Sequence, residues 1–265
     1  MPAMNKPSPS PVPGTTRADQ KRLRDLHARK GRREQGAFLV EGGKSVAELL
    51  ASDWPVTAVY ATSEAAPSLL AAARQRGLDL IQVSASQLTQ LGTFEHNDSA
   101  LAVAGQRAWP LLPVSADSLT LVLDDIRDPG NLGTLLRLAD WYGVRQVLCS
   151  PTTVDWQSPK VIAASMGSFL RVPLQVLPLP DWLSAQRQAG HDVLGAVLDG
   201  ESVHRLKTPL RGGVLVIGSE SHGLSPAVQD CLSRRLTIPR FGAAESLNAG
   251  VAAGILLDAW RRSCP

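Results

Sequence analysis

Beyond residue 118 the chain alternates short, almost wholly apolar runs with stretches of helical spacing. Leu119-Thr120-Leu121-Val122-Leu123, Gln146–Cys149, Val193–Val197, Val214–Ile217 and Leu236–Ile238 read as strands. Residues 131–142 place Leu132, Leu135, Leu136, Ala139 and Trp141 at helical intervals, and an apolar helix is expected from about Ser246 to Trp260. A strand without a polar face must be covered on both sides, and parallel strands need crossovers long enough to hold a helix. The pattern therefore predicts an α/β fold with a mostly parallel sheet covered by helices.

The first hundred residues form a separate alternation. A basic helix is expected over 17–34, strands at Ala37–Glu41, Val56–Tyr60, Leu80–Val83 and Leu101–Ala104, and helices at Lys44–Ala51 and 64–76, the latter ended by Gly77. This predicts a small αβα layer domain over 17–107. Residues 108–118 carry Pro110 and Pro113 and read as a linker to a second domain over 119–265. Residues 1–16, Pro- and Ser-rich to about Gly14, are expected to be a disordered tail without the apolar stretch of a signal peptide.

Charge is concentrated at one end. Residues 17–34 hold eight Lys and Arg against three Asp and Glu, a net +5 in a chain whose total is +3. Arg22, Arg24, Arg29, Lys30, Arg32 and Arg33 are the candidates to meet phosphate, although a solvated helix face would look the same. Cys149, Cys231 and Cys264 are far apart and form no Cys-x-x-Cys pair, which argues against a disulfide framework or a zinc site and fits a reducing cytoplasm. No apolar run approaches the roughly 20 residues that span a bilayer, so no membrane association is expected.

Three polar segments follow or adjoin the apolar runs. The first, Asp128-Pro129-Gly130-Asn131-Leu132-Gly133, opens a helix that carries Arg137. A helix N-terminus of this kind presents free N–H groups, and Asn131 could equally be an ordinary cap. Arg137 on a largely apolar helix calls for an anion or a hydrogen-bond network. The second, Gly218-Ser219-Glu220-Ser221-His222-Gly223, leaves a strand. It is followed by Leu224-Ser225 where a phosphate loop needs Lys-Ser/Thr, and it does not match Gly-x-Ser-x-Gly. The chain also lacks the Gly-x-Gly-x-x-Gly of dinucleotide folds. The third, Glu245-Ser246-Leu247-Asn248, precedes a run of small apolar residues that allow close backbone approach. Ser246 is the expected cap of that helix, and Asn248, a poor helix former, needs a partner if buried.

In order and spacing these segments resemble the three motifs of the SpoU/TrmH family of SPOUT RNA methyltransferases. The resemblance runs from about 119 to 261. It implies a C-terminal trefoil knot, a homodimer with the site near the interface, S-adenosylmethionine as cofactor, no metal, and methylation of a ribose 2′-hydroxyl in structured RNA. Position by position, it places the catalytic set on Asn131, Arg137, Glu220, Ser246 and Asn248, and cofactor contact on Gly218, Ile238 and Leu247. The N-terminal region is similar to the family's small RNA-binding domain, best at Phe38-Leu39-Val40-Glu41-Gly42. Phe94-Glu95-His96-Asn97-Asp98-Ser99 departs from the commoner Gln-Gly pattern there.

The implied reaction is an in-line displacement that needs sulfur, methyl and oxygen aligned and a proton removed. The family's proposed base is the arginine here numbered 137. A guanidinium with a pKa above about 12 is better suited to hold phosphate and stabilise charge on the oxygen. Glu220 is expected to orient Arg137 or Asn131, and Ser246 and Asn248 to position substrate or the first loop. Gly218 is expected to be glycine because a Cβ would intrude on the cofactor pocket. Ribosomal RNA ranks ahead of transfer RNA as substrate. Base methylation, or a non-catalytic RNA-binding protein with this fold, remain the alternatives.

Overall fold

The computed structural model describes residues 15–78, 80–206 and 208–263. The chain divides into two compact units, one holding the chain up to Arg107 together with Gln157–Pro159, the other Ala108–Trp156 and Lys160 onward. The expected tail falls mostly on residues 1–14, outside the described residues. Thr16 is ordered: it closes a capping box with Asp19 at the start of the first helix.

The N-terminal unit runs α1 (Arg17–Asp25), α2 (Arg29–Gln35), β1 (Ala37–Glu41), α3 (Gly43–Ala51), β2 (Val56–Ala61), α4 (Pro67–Gln75), β3 (Leu80–Gln82), α5 (Ala85–Leu91) and β4 (Ala100–Gly105). Its sheet has the order β1-β4-β2-β3, with β4 antiparallel to both neighbours and β3 parallel to β2. Leu23, Leu26, Leu39, Tyr60, Leu88 and Leu101 share its core. The single basic helix expected over 17–34 is two helices. The chain turns at Leu26–Ala28, and α2 passes so near the end of α1 that a Cβ at Gly31 would lie 2.0 Å from the Asp25 carbonyl oxygen. Helix α5 was not expected. Its start is set by Ser84 and Gln87, which exchange capping hydrogen bonds.

The C-terminal unit runs β5 (Leu119–Asp124), α6 (Pro129–Trp141), β6 (Gln146–Cys149), α7 (Pro159–Ser165), β7 (Leu174–Val176), α8 (Leu179–Gln188), β8 (Val193–Ser202), β9 (Gly213–Gly218), α9 (Pro226–Gln229), β10 (Arg234–Thr237) and α10 (Ala249–Ser263). Among the described residues its sheet has the order β10-β8-β9-β5-β6-β7, and every pairing is parallel. The α/β class read from the apolar runs is what is observed. Strand β10 begins two residues earlier than expected, at Arg234. Arg234 and Arg235 look unlike strand residues, but they pair with Glu201 and Asp199 of β8 at 2.8 and 2.7 Å. The expected linker has no regular structure, yet it is fastened to this unit. The Gln146 amide both donates to and accepts from the Leu112 backbone, at 2.8 and 2.9 Å.

Two packing choices position the site. In the β5–β9 ladder Asp124 lies opposite Gly218, so the first two polar segments leave the sheet side by side. Helix α10 then packs on α6 through small residues, with Gly250 against Thr134 and Gly254 against Leu138. That brings the start of α10 to the start of α6.

Candidate functional site

The first polar segment folds as a capped turn. Asp128, not Asn131, is the N-cap of α6: its Oδ1 accepts from the Asn131 backbone N–H at 2.8 Å, and Pro129 takes the first helical position. With capping done by Asp128, the Asn131 side chain is free to point away. Its Nδ2 donates to Glu220 Oε1, and its Oδ1 accepts from Asn248 Nδ2 at 2.8 Å.

Asn248 is also a cap. Its Oδ1 accepts from the N–H groups of Gly250 and Val251 at 3.0 and 3.3 Å, so α10 begins at Ala249 and not at Ser246. An asparagine that looked misplaced inside a helix thus stands just before one. Glu220 Oε1 also accepts from the Ala249 N–H at 3.4 Å, where the carboxylate meets the positive end of α10. Asn248 Nδ2 also donates to Glu220 Oε1 at 3.5 Å, so Asn131, Glu220 and Asn248, one from each polar segment, form a closed hydrogen-bonded triangle.

Glu220 faces a cleft of about 660 Å³ at the C-terminal ends of β8, β9 and β10. Gly218, Ile238 and Leu247, the three expected cofactor residues, line it together with Ser246. Ile217, Leu236 and Leu256 give it an apolar floor, and its walls carry the carboxylates of Glu220 and Glu245 beside the Asp199–Arg235 pair and Arg240. A volume of this size suits a small-molecule site. An apolar floor suits a flat heterocycle, and the carboxylates suit a positively charged group. S-adenosylmethionine carries both, so these residues fit it.

Gly218 is needed for a different reason from the one expected. A Cβ there would lie 2.2 Å from the backbone carbon of Gly223. Ser219 and Gly223 exchange backbone hydrogen bonds at 3.1 and 2.8 Å, closing the loop onto Gly218, and Gly223 adopts a left-handed φ of 65°. A side chain at 218 would break this closure before it could reach a ligand.

Arg137 and Ser246 stay outside the triangle. Arg137 lies exposed on the outer side of α6 and, among the described residues, makes no hydrogen bond or ion pair. Glu220, its expected partner, accepts from Asn131 instead, and nearby Asp140 accepts from Ser168 and Arg171. Ser246 is exposed on the cleft wall.

Of the basic candidates, Arg22, Arg24, Arg29, Lys30 and Arg33 are exposed, but Arg32 is only 3% exposed. Its guanidinium donates to the carbonyls of Leu26 and His27 at 2.8 and 2.9 Å, closing the end of α1. Arg32 is therefore removed from the set that could reach RNA. Charge alone does not separate a capping arginine from a solvated one.

Sequence reasoning passed over two residues beside the site. Buried Asp124 accepts from the Ser225 N–H at 2.7 Å and ties the second segment to the end of β5. Asp125 sits at a left-handed φ of 57° and pairs with Arg127 at 2.9 Å. The hydrogen bond from Arg127 holds its carboxyl below the ordinary carboxylate range, against a smaller opposing effect of burial. Among the described residues no group of three or more His, Cys, Asp or Glu could hold a metal ion, and no helix is long and apolar enough to cross a membrane.

Comparison with known proteins bears on this arrangement directly. Residues 118–258 match the SpoU rRNA Methylase family, and residues 19–102 match an MRM3-like substrate binding domain. An uncharacterized tRNA/rRNA methyltransferase of Synechocystis is 32% identical over 91% of this chain and 90% of its own length. The 23S rRNA (guanosine(2553)-2′-O)-methyltransferase RlmP of Bacillus subtilis is 29% identical over 88% and 91%. The SpoU methyltransferase AviRb of Streptomyces viridochromogenes, solved with AdoMet, superposes with a TM-score of 0.81 at 28% identity, covering 93% of this chain and 98% of that one. The chain belongs to the SpoU/TrmH family of S-adenosylmethionine-dependent RNA 2′-O-ribose methyltransferases.

Proposed function

We propose that this enzyme methylates a ribose 2′-hydroxyl in ribosomal RNA, as a cytoplasmic homodimer, with the N-terminal unit gripping the RNA. The observation that carries the reading is the Asn131–Glu220–Asn248 triangle, whose Glu220 lies on the wall of the cleft. Three segments, the outer two 117 residues apart in the chain, are fastened by one carboxylate beside a pocket that fits the cofactor. Relatives similar over nine-tenths of the chain include a 23S rRNA methyltransferase, which favours ribosomal over transfer RNA.

Bound S-adenosylmethionine supplies a methyl carbon on a cationic sulfur, open to in-line attack by oxygen. The protein's part is positioning and electrostatics. The triangle fixes the start of α6 against the start of α10, which sets where Arg137 projects. Arg137, without a partner among the described residues, grips a phosphate beside the target ribose and stabilises negative charge growing on the 2′-oxygen. Its proton passes to a phosphate oxygen or water. Ser246, exposed on the cleft wall, orients the substrate.

Supporting a homodimer, the packed helices α6 and α10 expose Trp141, at 84%, and Val251, at 51%, and leave Leu138 and Ile255 half-buried. Large exposed apolar residues grouped on neighbouring helices suit an association surface. The order of the sheet supports the knot: the chain visits the β10 edge and then returns to lay α10 on α6, beside the exit of β5. The unpaired thiols of Cys149 and Cys231 suit a reducing compartment. Mapping ribose methylation in ribosomal RNA from cells with and without the gene tests the substrate. One 2′-O-methyl mark should vanish on deletion; an unchanged ribosomal map with a lost transfer RNA mark would move the substrate class.

A further inference from the structure

Phe241 is a large apolar side chain left almost wholly in solvent, 89% exposed, on the loop that joins β10 to α10. It stands on the rim of the cleft, five residues before Ser246 on the same loop. Its ring faces that of His204, with the planes within 16° and the centroids 6.4 Å apart. His204 is also exposed, on the turn that follows β8. That turn is anchored: the Val203 N–H donates to the Thr237 carbonyl and the Arg205 N–H to that of Ser202, both at 3.0 Å.

The spacing is informative. Offset-stacked rings have centroids about 4.5–7 Å apart, so at 6.4 Å and 16° the two rings form a strongly offset stack that leaves both side chains open to solvent. The charge around the pair is equally suggestive. Arg240 precedes Phe241 and Arg205 follows His204, and both are exposed. Exposed aromatics interleaved with cations are how single-stranded nucleic acid is held, with bases on the rings and phosphates on the charges.

We propose that Phe241 and His204 form a stacking site for one unpaired RNA base next to the target nucleotide, with Arg205 and Arg240 on its phosphates. The cofactor's adenine is a second possible source of a flat heterocycle. The pair reaches outward from the rim, and His204 is not among the residues lining the cleft, which favours the RNA base. This inference rests on the proposed RNA substrate, and it gives the C-terminal unit a contact to RNA of its own.

The test uses the full chain and the single variants Phe241→Ala, His204→Ala and Phe241→Trp. Steady-state methyl transfer is measured on ribosomal RNA from cells lacking the gene, and cofactor affinity by calorimetry. Loss of one stacked base should raise KM for RNA about tenfold in each alanine variant. Melting temperature should not change, because neither ring is packed in the core, and cofactor affinity should change much less than KM for RNA. Phe241→Trp should restore KM, and its added fluorescence should be quenched by a short single-stranded RNA. Alanine variants with the KM of the parent would overturn the site. So would a weakened cofactor with unchanged KM for RNA, which would assign the ring to adenine. A parent protein that methylates no ribosomal RNA would instead sink the proposed substrate, and this inference with it.

Discussion

Each unit of the molecule holds one carboxylate at the centre of a hydrogen-bond network, and the two networks differ in reach. In the N-terminal unit buried Glu41 accepts from the N–H and hydroxyl of Thr93 and from the N–H of Phe94. All its donors lie in one loop, and the network closes that loop onto β1. In the C-terminal unit Glu220 is half-buried and gathers donors from Asn131, Asn248 and Ala249, two segments 117 residues apart at Asn131 and Asn248. The first arrangement holds a fold. The second holds a fold and also positions two helix starts beside a cleft. A polar network that joins distant segments at a cavity wall is a better sign of function than burial alone.

Arg137 offers the sharpest break in this comparison, since it belongs to neither network. Arg137→Ala should reduce single-turnover methylation by about a hundredfold or more, the scale on which a charge-stabilising donor is lost. Its melting temperature and cofactor affinity should match the parent's, because the side chain is exposed and has no partner among the described residues. Arg137→Lys should rescue little, as a point charge cannot replace the planar fork on phosphate. Normal turnover would remove Arg137 from the site.

The two carboxylates should separate function from stability. Glu41→Ala leaves buried donors unpaired and should lower stability by about 2 kcal/mol, with turnover unchanged at temperatures where the variant is folded. Glu220→Ala should lower turnover about tenfold at the same temperatures, because the α6 and α10 starts are no longer fastened. Glu220→Gln keeps an acceptor oxygen and should fall between. Denaturant melts paired with turnover on the same samples check this. Equal loss of turnover at both positions would erase the distinction drawn between the units.

Legibility in the sequence divides along the same line. The parallel sheet was readable because Val214–Ile217 and Leu119–Leu123 have no polar face to leave uncovered. The resemblance set Glu220 beside Arg137 or Asn131 and Asn248 beside substrate or the first loop, and of these pairings Glu220–Asn131 and Asn248–Asn131 are the ones formed. The letters alone do not choose between them, since that depends on Asp124 lying opposite Gly218 and on α10 packing against α6. Local chemistry also misled at the caps. Asp128 and Asn131 are both good caps, and only the backbone shows that Asp128 takes the position. Likewise the six candidate arginines and lysines of the basic segment are equivalent as letters, while Arg32 is consumed by the end of α1.

That last difference gives a smaller effect. Replacing Arg29, Lys30 and Arg33 together by Ala should weaken RNA binding and flatten its salt dependence by about two to three counterions. Arg32→Ala should instead lower the melting temperature. An unchanged salt slope in the triple variant would move RNA binding elsewhere.

The smallest expected effect is at Asp125. Its carboxyl sits below the ordinary value in the folded protein, so its pairing with Arg127 stabilises the fold above the unfolded carboxylate pKa. That contribution disappears as pH falls through the lowered folded value. Asp125→Asn, which tolerates the left-handed backbone, should cost less than about 1 kcal/mol at neutral pH, because the partner is exposed. It should cost nothing in strong acid. A pH series of melts on both proteins checks the sign.

The central claim is that the three-segment cluster serves methyl transfer to ribose. The purified full chain should be incubated with S-adenosylmethionine labelled on its methyl group and ribosomal RNA from cells lacking the gene, then the RNA digested to nucleosides. The account requires label in a single 2′-O-methylnucleoside, and its loss with Arg137→Ala. Label in a base-methylated nucleoside, or none in RNA while the cofactor still binds, would contradict it.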